Sequence, residues 1–342
     1  MSQPLNNPIC AREWHLLQRP TALPSSEHFA LLQRELPPLS ANQVLVDNLF
    51  LSVDPYMRGR MRENAVYAEA YELGEAMTGG AVGRVRASQH SDFTPGDIVL
   101  SLNGWRDRFI CDAAELQKLP AVAEQHPSLF LGTLGMPGLT AYVGLLQIAQ
   151  PKAGETVFVS AASGAVGANV CQIAKLKGCR VIGSVGSDEK ADWLRNECGV
   201  DEVINYKTCG DLTKALLAAA PEGIDVYFEN VGGEHLQAAI NAMNPYGRIA
   251  ACGMISGYND AESQSGVNNL MLIVGKKIRM QGFIISDHFD QQETFLSEMV
   301  PWVQSGAIKS QETVFEGVEK TLEAFLSLFN GEHFGKAVIK IG

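Results

Sequence analysis

A turn built to hold a phosphate is the first piece of chemistry in this chain. The β-rich run Thr156-Val-Phe-Val159 enters a small-residue segment, residues 160–164, after which Val166, Val170, Ile173, Ala174 and Leu176 recur at helical spacing. A second buried run at 180–185 completes a strand, turn, helix, strand unit. Ala162, Gly164 and Gly167 occupy the three fingerprint positions of a dinucleotide-binding turn, with alanine in place of the first glycine. Backbone N–H groups at such a helix start point at an anion, and small residues let a pyrophosphate approach. Glycine also marks ordinary tight turns, so the surrounding βαβ unit is what selects nucleotide binding.

A second decision lies about twenty residues further on, where an NAD site places an acid for the ribose 2′-hydroxyl. This chain reads Ser184-Val-Gly-Ser187 there and carries no carboxylate. Ser187 is expected to cap a helix beginning at Asp188, which puts Lys190 in its first turn. A cation in that turn opposes the helix dipole unless an anion lies beside it. A solvated lysine partnered by Asp188 or Glu189 is the plainer explanation. The missing acid and the lysine agree, however, and together they select NADP over NAD.

These groups need a scaffold that changes character along the chain. Residues 1 to about 125 read as β-rich, with strands at 44–53, 78–86, 98–101, 105–111 and 116–119 and a turn at 94–97. That spacing predicts a small barrel or sandwich. An apolar helix follows over 140–148. Strands at 203–206, 224–229, 247–252 and 278–285 then alternate with helices at 212–220 and 235–243, which specifies a parallel sheet covered on both faces. The tail holds an amphipathic helix over 318–329, a Gly331 stop and a strand at 336–341.

Composition narrows the class. A chain of 342 residues suggests two domains, and 46% apolar with 19% charged residues describes a globular protein. The balance of 27 basic against 38 acidic residues, a net −11, argues against nucleic acid and anionic membrane surfaces as partners. No apolar run approaches the ~18 residues of a membrane span. The polar first twelve residues lack the apolar region of a signal peptide, so the cytoplasm is the expected location. Seven dispersed cysteines, none in a C-x-x-C pair, read as reduced thiols, and the seven histidines show no zinc-binding spacing. No metal is expected.

Four further segments belong with the central turn: Asp54-Pro-Tyr-Met-Arg-Gly-Arg-Met61, Gly135-Met-Pro-Gly-Leu-Thr-Ala-Tyr142, Glu229-Asn-Val-Gly-Gly233 and Gly282-Phe-Ile-Ile285. With residues 331–336 they resemble the zinc-lacking medium-chain dehydrogenase/reductases, in particular the NADPH-dependent double-bond reductases that include alkenal, prostaglandin and curcumin reductases. The resemblance runs in order over nearly the whole chain. It implies an α/β protein: a GroES-like β-barrel domain over 1–130 with 310–342 returning to it, a Rossmann doubly wound parallel-sheet domain over 131–309, and a homodimer. Carried over residue by residue, it places Ser163, Gly164, Ala165, Val166 and Gly167 at the pyrophosphate and Lys190 and Tyr206 at the 2′-phosphate of NADP. Met136 and Thr140 fall near the nicotinamide-side phosphate and ribose, and Asn230, Cys252, Phe283, Ile284 and Ile285 near the nicotinamide. The tail departs from the pattern, since His333 stands where many relatives carry asparagine. The zinc-ligand segments of related alcohol dehydrogenases read Asn48-Leu-Phe-Leu-Ser52 and Thr78-Gly-Gly-Ala81 here.

The implied reaction is hydride addition to the β-carbon of a small-molecule enone or enal. It leaves an enolate oxygen that needs a hydrogen-bond donor when no metal is present. Tyr258 follows a sheet strand at the edge where Rossmann ligands bind, and Tyr67 matches a substrate-contacting tyrosine of the curcumin-reductase branch. Either could instead be an ordinary interfacial or loop aromatic. Tyr56 and Arg58 are expected to be mainly structural, although such an arginine could clamp a substrate carboxylate. A quinone reductase and a non-catalytic NADPH-binding redox sensor are the alternatives.

Overall fold

Strand-forming residues come early, as Val, Ile, Leu and Phe runs broken by turn residues require. The computed structural model describes residues 9–259 and 266–341, which divide into two units. The first holds the described residues to Leu131, Thr313–His333 and the tail from Ala337. It opens with an antiparallel ribbon, β1 (Cys10–Leu16) against β2 (Phe29–Glu35). β3 (Gln43–Ser52) is long enough to serve several partners, and its sequel is the short helix α1 (Tyr56–Arg60). β4 (Ala81–Ser88), β5 (Ile98–Ser101), β6 (Arg108–Asp112) and β7 (Gln117–Lys118) complete the run. β3 pairs with β4 along its length and with β6 through residues 43–47.

Trp105 organises this unit's core. It is fully buried, stacked on Phe29 with centroids 6.4 Å apart and edge-on to Phe325 at 5.6 Å. The strand expected over 105–111 starts only at Arg108, because Trp105 has a left-handed backbone (φ +60°) that turns its ring inward. The β1–β2 ribbon had no counterpart in the sequence-based reading.

The second unit covers residues 132–312 with Phe334–Lys336. Its α2 (Met136–Val143) continues into a π-helical turn, Gly144–Ala149, where a uniform helix over 140–148 was expected. The alternation then runs as β8 (Thr156–Val159), α3 (Gly167–Leu176), β9 (Arg180–Val185), α4 (Asp188–Cys198), β10 (Glu202–Asn205), α5 (Leu212–Ala219), β11 (Ile224–Glu229), α6 (Gly233–Ala242), β12 (Met243–Ala251), α7 (Met271–Lys276) and β13 (Arg279–Gly282). Every pairing is parallel, and the order β10-β9-β8-β11-β12-β13 is doubly wound, reversing direction between β8 and β11. The strand expected over 278–285 stops at Gly282. Phe283 leaves the sheet to pack edge-on against Phe228, with ring centroids 6.3 Å apart, beside the side-chain-free Gly144. Helix α8 (Gln292–Gln304) follows, and it too was missing from the expected elements.

The chain then returns to the first unit's sheet as β14 (Glu312–Glu316), helix α9 (Thr321–Asn330) and β15 (Lys336–Lys340), which pairs antiparallel with β3. Gly331, at φ +74°, ends α9 where the sequence placed its stop. α9 supplies Phe325, Leu322 and Leu328 to the Trp105 core. Removing the Phe325 ring should therefore destabilise the first unit through the cavity left around Trp105. Phe325→Ala is expected to cost about 3–5 kcal/mol in denaturant unfolding followed by tryptophan fluorescence.

Candidate functional site

The glycine-rich turn departs from the common fingerprint in a way the backbone explains. Its left-handed residue is Ala161 (φ +47°), not one of the three fingerprint positions. Ala162 can replace the first glycine because Gly183 on β9 leaves room: a Cβ there would lie 2.9 Å from the Ala162 methyl. Gly167 is obligatory, since a side chain would overlap the Ala161 carbonyl oxygen and reach within 2.9 Å of Ala162 Cα. Gly164 donates to Ala161 O at 2.9 Å, and the buried Ser163 accepts at its carbonyl from Gly335 N at 3.1 Å. The α3 ladder begins with Ala168 N on Gly164 O at 3.0 Å. The N–H groups of Ala165, Val166 and Gly167 precede it and are the donors such a turn offers an anion.

At the β9 tip, Gly186 stands where an acid would sit in an NAD site. Ser187 caps α4 by accepting from Lys190 N, as its type and position predict. Lys190 is half-buried, and burial, then the charge of Lys207, pull its ammonium below the usual lysine value against the opposing pull of Glu189. Tyr206 lies one residue past β10, where a strand residue was expected. Its hydroxyl and the Lys207 Cε stand 2.9 and 3.2 Å from where a Gly186 Cβ would be. The Tyr206 ring meets His235 edge-on at 5.1 Å, and His235 Nε2 lies 2.8 Å from Ser184 Oγ. Sequence reasoning missed Lys207 and His235. A lysine adjacent to Tyr206 was a signal for the first, whereas nothing in the sequence announces the second.

The tips of β8, β11 and β12 are tied together by one residue, Glu229, through its carboxyl group and its backbone carbonyl. Glu229 is fully buried, and its Oε1 lies 2.7 Å from Tyr227 Oη, 3.3 Å from Ser160 Oγ, and 2.7 and 2.9 Å from the amides of Val231 and Gly232. Its Oε2 has no hydrogen-bond partner among the described residues. Burial pushes this carboxyl up, opposed by the Gly232 amide, the Tyr227 hydroxyl and the other donors. The backbone carbonyl of Glu229 accepts from Cys252 N at 3.0 Å and Gly253 N at 3.1 Å. Asn230 donates through Nδ2 to Ser160 O at 2.7 Å, and its carbonyl takes Ile255 N at 3.2 Å. Tyr258 ends the short 3-10 turn Ile255–Gly257 on this platform, its hydroxyl 2.9 Å from a built Cβ at Gly253. Burial and then Glu229 push the Cys252 thiol up to about 12, which disfavours its thiolate.

The remaining candidates are dispersed. Met136 opens α2, and Thr140 spends its hydroxyl proton on Met136 O at 2.7 Å. Ile284 and Ile285 are half-buried beyond β13. In the first unit, His333 donates from Nδ1 to Ser327 O at 3.0 Å, so that nitrogen is already engaged. Tyr67 is 46% exposed. Arg58 is buried with Nη2 on the carbonyls of Pro20 and Ala22. Among the described residues no group of three or more His, Cys, Asp or Glu could hold a metal ion.

His235 titrates in a way that can be measured. Burial lowers its pKa from 6.5 to about 4, so the unfolded chain takes up a proton between those values that the folded chain refuses. Its contribution is whole above pH 6.5 and is lost as pH falls towards 4. Unfolding free energies at pH 7 and pH 5 should differ by roughly 2 kcal/mol on this account. His235→Gln, which keeps a partner for Ser184, should remove that difference.

Comparison with known proteins accords with this geometry. Residues 12–119 match a family described as the N-terminal domain of oxidoreductase, and residues 165–305 one described as zinc-binding dehydrogenase. The chain is 45% identical to prostaglandin reductase 1 of Bos taurus over 335 residues, covering 97% of this chain and 99% of that one. It is 42% identical to the NADPH-dependent curcumin reductase of Escherichia coli, covering 96% of each. The crystal structure of CurA from Vibrio vulnificus in complex with NADPH superposes with a TM-score of 0.92 at 41% identity, over 97% of this chain and 99% of that one. The chain belongs to the medium-chain dehydrogenase/reductases, in the group of NADPH-dependent double-bond reductases.

Proposed function

We propose that this protein uses NADPH to reduce the C=C bond of α,β-unsaturated ketones and aldehydes, without a metal. The observation that carries the proposal is near-full-length likeness, above 40% identity, to relatives named as prostaglandin and curcumin reductases. The β9 tip supports the choice of cofactor, since Gly186 offers no carboxylate to a ribose hydroxyl while Lys190 and Tyr206 stand ready for a phosphate. The turn suits a pyrophosphate because the amides of Ala165, Val166 and Gly167 precede the α3 ladder, which begins at Ala168 N on Gly164 O.

In this reading residues 131–309 hold the nucleotide, and residues 1–130 with 310–342 form the substrate domain. Ser163, Gly164, Ala165, Val166 and Gly167 hold the pyrophosphate. Met136, Thr140, Asn230, Cys252, Phe283, Ile284, Ile285 and His333 serve the nicotinamide half. When bound, the dihydronicotinamide supplies the hydride received by the substrate β-carbon. Tyr258 donates its phenolic proton in a hydrogen bond to the substrate carbonyl oxygen, where negative charge builds. Its amide donates to Ile255 O, and the turn before it is held to the β11 tip by Ile255 N on Asn230 O and Ser256 N on Val231 O, so little reorganisation opposes that donation. Tyr67 is a second phenol for the substrate, and the α-carbon proton comes from water.

The protein is further proposed to act in the cytoplasm as a homodimer. No helix among the described residues is long and apolar enough to cross a membrane. β13 is an edge strand exposed at all four residues, and Leu270, Met271 and Val274 just before it are 52, 83 and 79% exposed. An open strand edge beside apolar side chains suits pairing with a second copy.

NADPH consumption should accompany loss of the double bond with enals and enones. Consumption with quinones alone would replace this activity by quinone reduction, and consumption with neither would leave a cofactor-binding protein. Tyr258→Phe should lower kcat by about 10²-fold with NADPH affinity unchanged, as loss of an oxyanion donor does; undiminished turnover would remove Tyr258 from the mechanism. Sedimentation equilibrium should return twice the chain mass, and a monomer would end the dimer proposal.

A further inference from the structure

The β10 tip presents a cation that the preceding assignment leaves unused. Lys207 follows Tyr206, and the two side chains lean over the same bare backbone at Gly186. Their turn is held from one side. Asn205 accepts Lys207 N at its Oδ1 (3.2 Å) and donates through Nδ2 to Asp188 Oδ1 (2.8 Å). Asp188, in the first turn of α4, thereby braces the turn. Lys190 approaches from the first turn of α4, close enough for the Lys207 charge to disfavour its own. Glu189 is the acid that acts on Lys190 in the opposite sense.

Two like charges that act on one another cost free energy, and in a protein of net charge −11 such a pair is not explained by general basicity. A dianion between them would remove the cost. A ribose 2′-phosphate carries close to two charges at neutral pH, as phosphomonoesters do, and one lysine would balance only half of that. Gly186 is the other half of the device. A side chain there would displace Tyr206 Oη and Lys207 Cε, so the position that would carry an NAD-type acid is kept bare by the groups that replace it.

We propose that Lys207 is a specificity-determining residue, the second cation that with Lys190 selects a nucleotide bearing a ribose 2′-phosphate. The inference rests on the NADP reading above and adds to it a residue and a charge balance.

Calorimetric titration with 2′,5′-ADP and with 5′-AMP tests it without turnover. Lys207→Gln should weaken 2′,5′-ADP about tenfold or more and leave 5′-AMP unchanged, and Lys207→Arg should recover most of the loss. Lys207 is exposed, so neither change threatens folding. If Lys207→Gln binds 2′,5′-ADP like the wild type while Lys190→Gln does not, Lys207 has no such role and the NADP reading stands. If the wild type binds both nucleotides equally, the 2′-phosphate reading falls and this inference with it. Equal weakening of both nucleotides by Lys207→Gln would also overturn it, as a general structural effect.

Discussion

Everything at the working edge of the nucleotide sheet depends on where three parallel strands end. β8, β11 and β12 deliver their last residues side by side, and parallel strands leave their terminal carbonyls and amides without ladder partners there. Glu229 and Ser160 take up those groups. One carboxylate oxygen gathers two amides and two hydroxyls, and the same residue's carbonyl receives the amides that begin the segment to Tyr258. Buried away from water, such bonds leave little freedom to the loops they hold. Asn230 and Tyr258 are positioned residues because of this, on a platform whose anchor is invisible from solvent.

The glycine-rich turn and the β9 tip follow the same logic of close approach. Where backbone or neighbouring side chains come close, a side chain is absent or displaced. The strained conformation sits at Ala161, the methyl of Ala162 is received by Gly183, and the bare Gly186 makes room for Tyr206 and Lys207. His235 contributes from beneath, as a neutral ring against Tyr206 that burial prevents from charging.

Much of the fold was legible because period and punctuation are local properties. The alternation of apolar runs with helical spacing predicted the parallel sheet, and Ser187 and Gly331 marked helix ends that are found there. What could not be read was contact between distant segments. Trp105 was assigned to a strand from its neighbours, yet its ring is turned into a core that Phe325 joins from more than two hundred residues away. Phe283 was assigned to the last strand, yet the room left at Gly144 and the ring of Phe228 draw it out of the sheet. β1 buries the polar Glu13 and His15 and β2 is exposed over its last four residues, so neither strand shows the apolar alternation that would have revealed the ribbon.

For the site, the residue types alone determined that the central turn is built of small residues in a dinucleotide-type pattern and that no carboxylate stands at the end of the next strand, because those depend on side chains being small or absent at set spacings. Tertiary structure decided which charged and polar groups converge on that vacancy. Lys207 and His235 come from another strand tip and a helix, and their nearness is a product of strand order. Adjacency in space across a doubly wound sheet leaves no periodic trace along the chain, which is why they emerge only once the chain is folded.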